Sequence, residues 1–201
     1  IICLMISSIP LHHGKKFMTI LPIEKSYIKS VTHIITCFFP WQDDFGEKWI
    51  KDLKERGDTM ERQTNVKADM TNFEALVYDD SYIPFKEFMI SLVKYHDMYS
   101  PAQTVSITDM WGAIYHKGDH ADTHMHHPAA FSFVYYLKAS EKSSPLIFPS
   151  CENNFTVRPA SGLITLFPGN LLHAVPEQQY EEERIVIAGN IAMLNGEKPW
   201  E

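Results

Sequence analysis

Cysteine is scarce in this sequence and odd in number. The three cysteines, Cys3, Cys37 and Cys151, are far apart and form no C-x-x-C pair, which argues against a disulfide framework and against a thiolate zinc site. Buried, reduced thiols in a cytoplasmic protein are the expectation. No run of Lys and Arg stands out, and the net charge of −7 over 201 residues argues against a general nucleic-acid binder, which needs a basic face to neutralise phosphates. Long apolar runs are also missing. The opening IICLMISSIPLHH is far shorter than the about 20 apolar residues needed to span a bilayer. It has no basic n-region either, so a signal peptide is not expected. Position 1 is not Met, and residues 1–18 are set apart as an N-terminal extension whose order the sequence leaves open. With no internal repeat, low-complexity tract or long linker, residues 19–201 read as a single domain.

What is present is an ordinary globular composition, 45% hydrophobic and 21% charged, somewhat rich in aromatics at 12%. Residues 43–56, DDFGEKWIKDLKER, read as a helix. Phe45, Trp49, Ile50 and Leu53 recur at helical spacing, with acids early and bases late. A second helix is expected near 84–98, opened by Pro84 and presenting Phe88, Leu92 and Val93 as its core face. From about residue 104 the pattern changes to short strand-like runs divided by turn residues: TVSITDMWGAIYH, the turn KGDHAD, then HHPAAFSFVYYLKAS, PLIFPS, NFTVRP, SGLITLFPGN, LLHAVP and RIVIAGNIAM. Such lengths and spacings indicate a β-sandwich or barrel. The fold class expected is α+β, mainly β, with helices first and a jelly-roll-like barrel over about 104–195.

Four of the ten histidines fall within GDHADTHMHHP, residues 118–128. His124 and His126 are two apart, so on an extended backbone both imidazoles reach one face. His173 follows in FPGNLLHAVP, and eleven residues later Arg184 opens the apolar run RIVIAGNIAM. A charged side chain there, pointing inward, would need a buried anionic partner. Two nearby histidines, a distant third and a buried arginine together describe a metal and a carboxylate-bearing cosubstrate.

The ordering WGAIYHKGD, HMHHP, SFVYYL, PLIF, SGLITLFPGNLLHAV, ERIVIAGN resembles the iron(II)/2-oxoglutarate-dependent oxygenases, in particular a bacterial and phage branch related to prolyl hydroxylases. The resemblance runs from Trp111 to Met193 and implies a double-stranded β-helix. It implies His124 and His173 as Fe(II) ligands, with Fe(II), 2-oxoglutarate and O2 as metal, cosubstrate and oxidant. Arg184 would bind the far carboxylate of 2-oxoglutarate through its bidentate fork. Tyr115, on the preceding strand, would donate to the same carboxylate. Asn190 shares parity with Arg184 and would face the same pocket. The implied reaction is C–H hydroxylation of a protein or peptide side chain, prolyl among the candidates, with release of succinate and CO2. Peptide, protein or small-molecule substrates are the expected partners, with no nucleic acid or membrane. The oligomeric state stays open, a homodimer included.

One departure stands out. The family's second ligand is usually Asp, in H-x-D, whereas His126 fills the matching slot here. A literal H-x-D lies just upstream as His120-Ala121-Asp122, so two registers compete. The spacing from Pro128 to SFVYYL favours His124/His126, with Asp122 as a second-sphere acceptor at most. His116 and His127 read as surface residues. The rival readings are a three-histidine metalloenzyme of cupin type and a metal-binding barrel without turnover.

Overall fold

The computed structural model describes residues 32–96, 99–150 and 153–195; the extension 1–18, Cys3 and Cys151 lie outside them. Strand β1 (Ile35–Phe38) leads into helix α1 (Gln42–Arg56), and helix α2 (Ile83–Val93) follows two short strands, β2 (Val66–Lys67) and β3 (Asp69–Met70). In α1, Asp43 and Asp44 sit at the positive end of the helix dipole and Lys54 and Arg56 at the negative end. Gly57, at φ +68°, ends the helix, its N–H bonding the Leu53 carbonyl at 3.2 Å. The expected face is present: Trp49 and Leu53 are buried, with Trp49 stacked between the rings of Phe45 and Tyr82.

Helix α2 is shorter than its apolar pattern suggests. It ends at Val93, and residues 97 and 98 lie outside the described part. Its fully buried stripe is Phe85, Met89 and Val93, at i, i+4, i+8, while Phe88 and Leu92 are half-buried beside it. The helix is thus rotated by about one residue from the face expected. Phe85 stacks on Tyr135 at 4.9 Å, and an aromatic that size secures the docking angle through its buried area.

The remaining strands are β4 (Gln103–Tyr115), β5 (His120–His124), β6 (Phe131–Lys138), β7 (Leu146–Phe148), β8 (Phe155–Val157), β9 (Leu163–Pro168), β10 (His173–Val175) and β11 (Arg184–Asn195). They form two antiparallel sheets, one ordered β1-β9-β6-β11-β4-β3 and the other β2-β5-β10-β7-β8. The protein is therefore mostly β with two helices. Part of the expected KGDHAD turn is strand, since β5 begins at His120.

Alternation along the large sheet sorts side chains between two cores. Met110, Ile114, Phe133, Tyr135, Ile185 and Ile187 pack with the helices. Trp111, Ala113, Tyr115, Tyr136 and Val186 belong to a second cluster with Ala121, Phe148 and Val175 of the smaller sheet. Each large side chain so buried stabilises the fold by about 1.5–3 kcal/mol. A bulge at Thr108 keeps both faces apolar: Asp109 pairs with Asn190 but Ile107 pairs with Ile191. The extra residue resets parity, so Val105 and Ile107 rejoin the helix-side core. Among the described residues, no helix is long and apolar enough to cross a membrane.

Candidate metal centre

His124 ends β5 and His173 begins β10, and the two residues are direct partners across the antiparallel pair. Two residues along β10, Val175 pairs with Ala121, three residues back from His124. Residues 122 and 123 therefore oppose Ala174 alone, which is a β-bulge. Such an insertion reverses the parity of the strand. Without it, His124 would share the outward face of His120, because Ala121 points into the inter-sheet core. With it, His124 turns toward His173.

His126 arrives from the turn after β5. Its N–H donates to the Gly169 carbonyl at 2.7 Å, and the Gly169 N–H donates to the Ala130 carbonyl at 3.0 Å. A Cβ at position 169 would lie 2.3 Å from the Ala129 carbonyl oxygen, so only glycine allows these two loops to clasp. The result is a three-imidazole cluster. The ring centroids of His124, His126 and His173 are 4.3–5.1 Å apart, and one nitrogen from each lies within 4.8 Å of the others. That is close enough to converge on one ion with small side-chain rotations.

Hydrogen bonds set the tautomers of two of the rings. The Nδ1 of His124 lies 2.6 Å from the Asp122 carbonyl, and the Nδ1 of His173 lies 2.9 Å from the Leu171 carbonyl. A carbonyl only accepts, so each Nδ1 carries the proton and each Nε2 presents a lone pair. Burial, with His124 nearby, pushes the pKa of His126 down to about 4 and that of His173 down to about 3. These two rings are therefore neutral near pH 7, the form that binds metals. Trp111 lies beside His126 at 5.9 Å and Phe167 beside His173 at 4.8 Å, walling the cluster with apolar surface.

A narrow cavity of about 40 Å³ joins the histidines to Arg184. Arg184 opens β11 opposite Tyr115 of β4 and is 1% exposed. Its guanidinium stacks over the Tyr115 ring at 4.5 Å and the Tyr136 ring at 5.1 Å. Its Nε and Nη1 have no hydrogen-bond partner, nor do the buried hydroxyls of Tyr136 and Thr165. Burial raises the Tyr115 and Tyr136 phenols, while Arg184 pulls them the other way. A buried cation with free N–H groups is costly unless an anion answers it. Orphaned donors grouped on one inner face fit a carboxylate, and three convergent imidazoles fit a divalent transition metal.

The other residues singled out in the sequence lie elsewhere. His120 and Asp122 sit on the outer side of the bulge, 3.6 Å from each other, and are not part of the three-imidazole cluster. Asp122 contributes through its backbone carbonyl, not its carboxylate. His116 bonds Asp69 at the surface, and His127 is exposed. Asn190 shares Arg184's face of β11, but its carboxamide is engaged by Ser132 at 2.9 Å and Asp109 at 3.1 Å. Tyr136 and Thr165, whose buried hydroxyls have no partner, were not singled out in the sequence. The only signal was their polarity at inward positions of apolar strands.

No family model and no curated protein matches the sequence. Solved structures do match. A viral collagen prolyl hydroxylase from Paramecium bursaria Chlorella virus-1, solved as a 2-oxoglutarate complex, aligns with a TM-score of 0.61 at 13% identity, covering 79% of this chain and 94% of that one. A prolyl hydroxylase from Trichoplax adhaerens, in complex with a peptide fragment of the hypoxia-inducible factor oxygen degradation domain, aligns at 0.58 and 13% identity over 79% and 82% of the two chains. HygX from Streptomyces hygroscopicus, with nickel and 2-oxoglutarate bound, aligns at 0.59 and 12% over 80% and 83%.

Two predictions follow from this geometry. His126→Ala should weaken Co(II) or Fe(II) binding by at least about 100-fold, while Asp122→Ala should change it by less than about 3-fold. Calorimetric titration that gave the reverse order would put the metal at the upstream pair. The metal-free protein should also lose stability as pH falls from about 6.5 toward 4. The folded-state pKa values of His126 and His173 lie below the ordinary value of 6.5, so over that window the unfolded chain binds protons that the folded one refuses. Urea unfolding at stepped pH should show a fall that is absent in His126→Ala/His173→Ala. This chain has the fold of the 2-oxoglutarate- and iron(II)-dependent oxygenases, prolyl hydroxylases among them.

Proposed function

We propose that this protein is an Fe(II)- and 2-oxoglutarate-dependent dioxygenase built on a double-stranded β-helix, hydroxylating a C–H bond of a peptide or protein side chain, with prolyl the leading candidate. The observation that carries the reading is the single cavity shared by three imidazoles and a buried guanidinium whose Nε and Nη1 have no hydrogen-bond partner. His124, His126 and His173 would hold Fe(II). Arg184, with the hydroxyls of Tyr115, Tyr136 and Thr165, would take the far carboxylate of 2-oxoglutarate. Ser132 lines the same cavity and is held by Asn190, which in this reading acts on the pocket through that hydrogen bond. When bound, the iron with 2-oxoglutarate and O2 supplies the oxidising power to convert C–H to C–OH, releasing succinate and CO2.

The chain's own contribution is positional. The Nδ1–H bonds to the Asp122 and Leu171 carbonyls fix which nitrogen of His124 and His173 faces the ion. Trp111, Phe148 and Phe167 keep water from the metal side. The guanidinium sets the depth at which the dicarboxylate stops, and so which carboxylate is left for the metal. Three neutral ligands leave the ion one unit more positive than a two-histidine, one-carboxylate set would, which favours a dianionic cosubstrate. The all-imidazole set also supports a second reading, a three-histidine metalloenzyme of cupin type. That reading leaves the buried charge of Arg184 without a counterion.

Arg184→Ala separates the two. Loss of two charge-assisted hydrogen bonds, each worth about 1.5–3 kcal/mol, should raise the 2-oxoglutarate concentration for half-maximal succinate release by about 100-fold or more. Metal affinity should stay unchanged. Unaltered 2-oxoglutarate dependence would remove Arg184 from the site.

A further inference from the structure

Beside the metal centre lies a far larger cleft, about 780 Å³, lined by Ile34, Ile35, Tyr95, Phe148, Phe155 and Leu171 among others. It adjoins the histidine cluster at two points. Leu171 supplies the carbonyl that holds the His173 Nδ1–H, and its side of the loop forms part of the cleft wall. Phe148 stands 6.3 Å from the His173 ring and 6.0 Å from Phe155, so one aromatic row runs from the metal ligand out to the exposed edge of β8. Phe155 and Tyr95 are 55% and 82% exposed, large apolar surfaces left in water.

Charge narrows the occupant. Among the described residues lining the cleft there is no Asp, Glu, Lys or Arg, on a chain that carries 43 such residues in all (18 basic and 25 acidic). Its polar groups are hydroxyls and the two histidines His33 and His96, whose rings meet edge-on at 6.2 Å. A charged side chain entering here would lose water and meet no counter-charge from the described residues that line the cleft. An apolar or aromatic side chain would gain buried area against Phe148 and Phe155.

We infer that this cleft receives the stretch of a polypeptide substrate next to the residue that is hydroxylated, and that it selects uncharged, apolar or aromatic side chains there. The inference rests on the oxygenase reading and names its substrate class. Phe155, outside the metal and cosubstrate sites, is the specificity residue most open to test.

The experiment uses the full chain loaded with Fe(II) and 2-oxoglutarate. It is presented with an array of proline-centred dodecapeptides whose flanking positions are aliphatic, aromatic, acidic or basic. Mass spectrometry reads the gain of one oxygen, and succinate release without peptide is followed in parallel. Peptides with aliphatic or aromatic flanks should be converted at least about 10-fold faster than charged ones. Phe155→Glu should erase that preference and raise the KM for apolar peptides by about 10-fold, with metal and 2-oxoglutarate affinities unchanged. Equal conversion of charged peptides, or a preference untouched by Phe155→Glu, would overturn the assignment of the cleft. Absence of 2-oxoglutarate binding in the same samples would instead sink the oxygenase reading beneath it.

Discussion

One strand pairing organises the three-imidazole cluster: His124 against His173, with two residues of β5 facing one of β10 just beyond. Strand pairing places backbones about 5 Å apart and puts directly opposed side chains on one face, but leaves open whether that face is the inner or the outer one. The bulge makes that choice. It turns His124 inward beside His173 while leaving Ala121 in the apolar core and His120 outside. His126 joins because Gly169 lets the preceding loop close over it. Removing the bulge would separate the imidazoles without altering either sheet's composition.

The two ends of the cavity are frustrated in complementary ways. At one end, burial holds His126 and His173 neutral, with one ring nitrogen of each within 4.8 Å of the other. At the other, burial surrounds a permanent cation with phenol rings and hydroxyls that have no acceptor. A protein interior tolerates neither without return. A divalent ion relieves the first and a carboxylate the second, so a molecule able to chelate a metal while extending a second carboxylate answers both together. Val186, Phe167 and Trp111 line the same cavity with apolar surface.

Much of this was legible in the sequence because the chemistry is concentrated in a few short segments. The spacing of H-x-H, the later histidine after a Pro-Gly turn and the arginine opening an apolar run pointed to residues that the fold brings to one cavity. The strand-rich second half and helix α1 were visible from periodicity. What stayed hidden depends on pairing rather than on pattern. That His120 and Asp122 of the competing H-x-D lie apart from the three-imidazole cluster became visible only with the bulge, since simple alternation gives 120, 122 and 124 the same face. Tyr136 and Thr165 looked like ordinary strand residues, and only the structure showed that their buried hydroxyls have no hydrogen-bond partner, like two nitrogens of the Arg184 guanidinium. The face of α2 was misjudged by one residue because Phe88 and Leu92 are as apolar as the residues that bury fully.

A fold shared with oxygenases does not by itself make an oxygenase, and at identities of 12–13% the weight falls on the local geometry. The direct test is an anaerobic titration of the protein with Fe(II) and then 2-oxoglutarate, followed by visible absorption. If both ends of the cavity engage one cosubstrate, a metal-to-ligand charge-transfer band should grow to one equivalent, and it should need Fe(II) and 2-oxoglutarate together. No band, under conditions where Fe(II) is shown to be bound, would mean that the histidines and the arginine do not serve a common ligand.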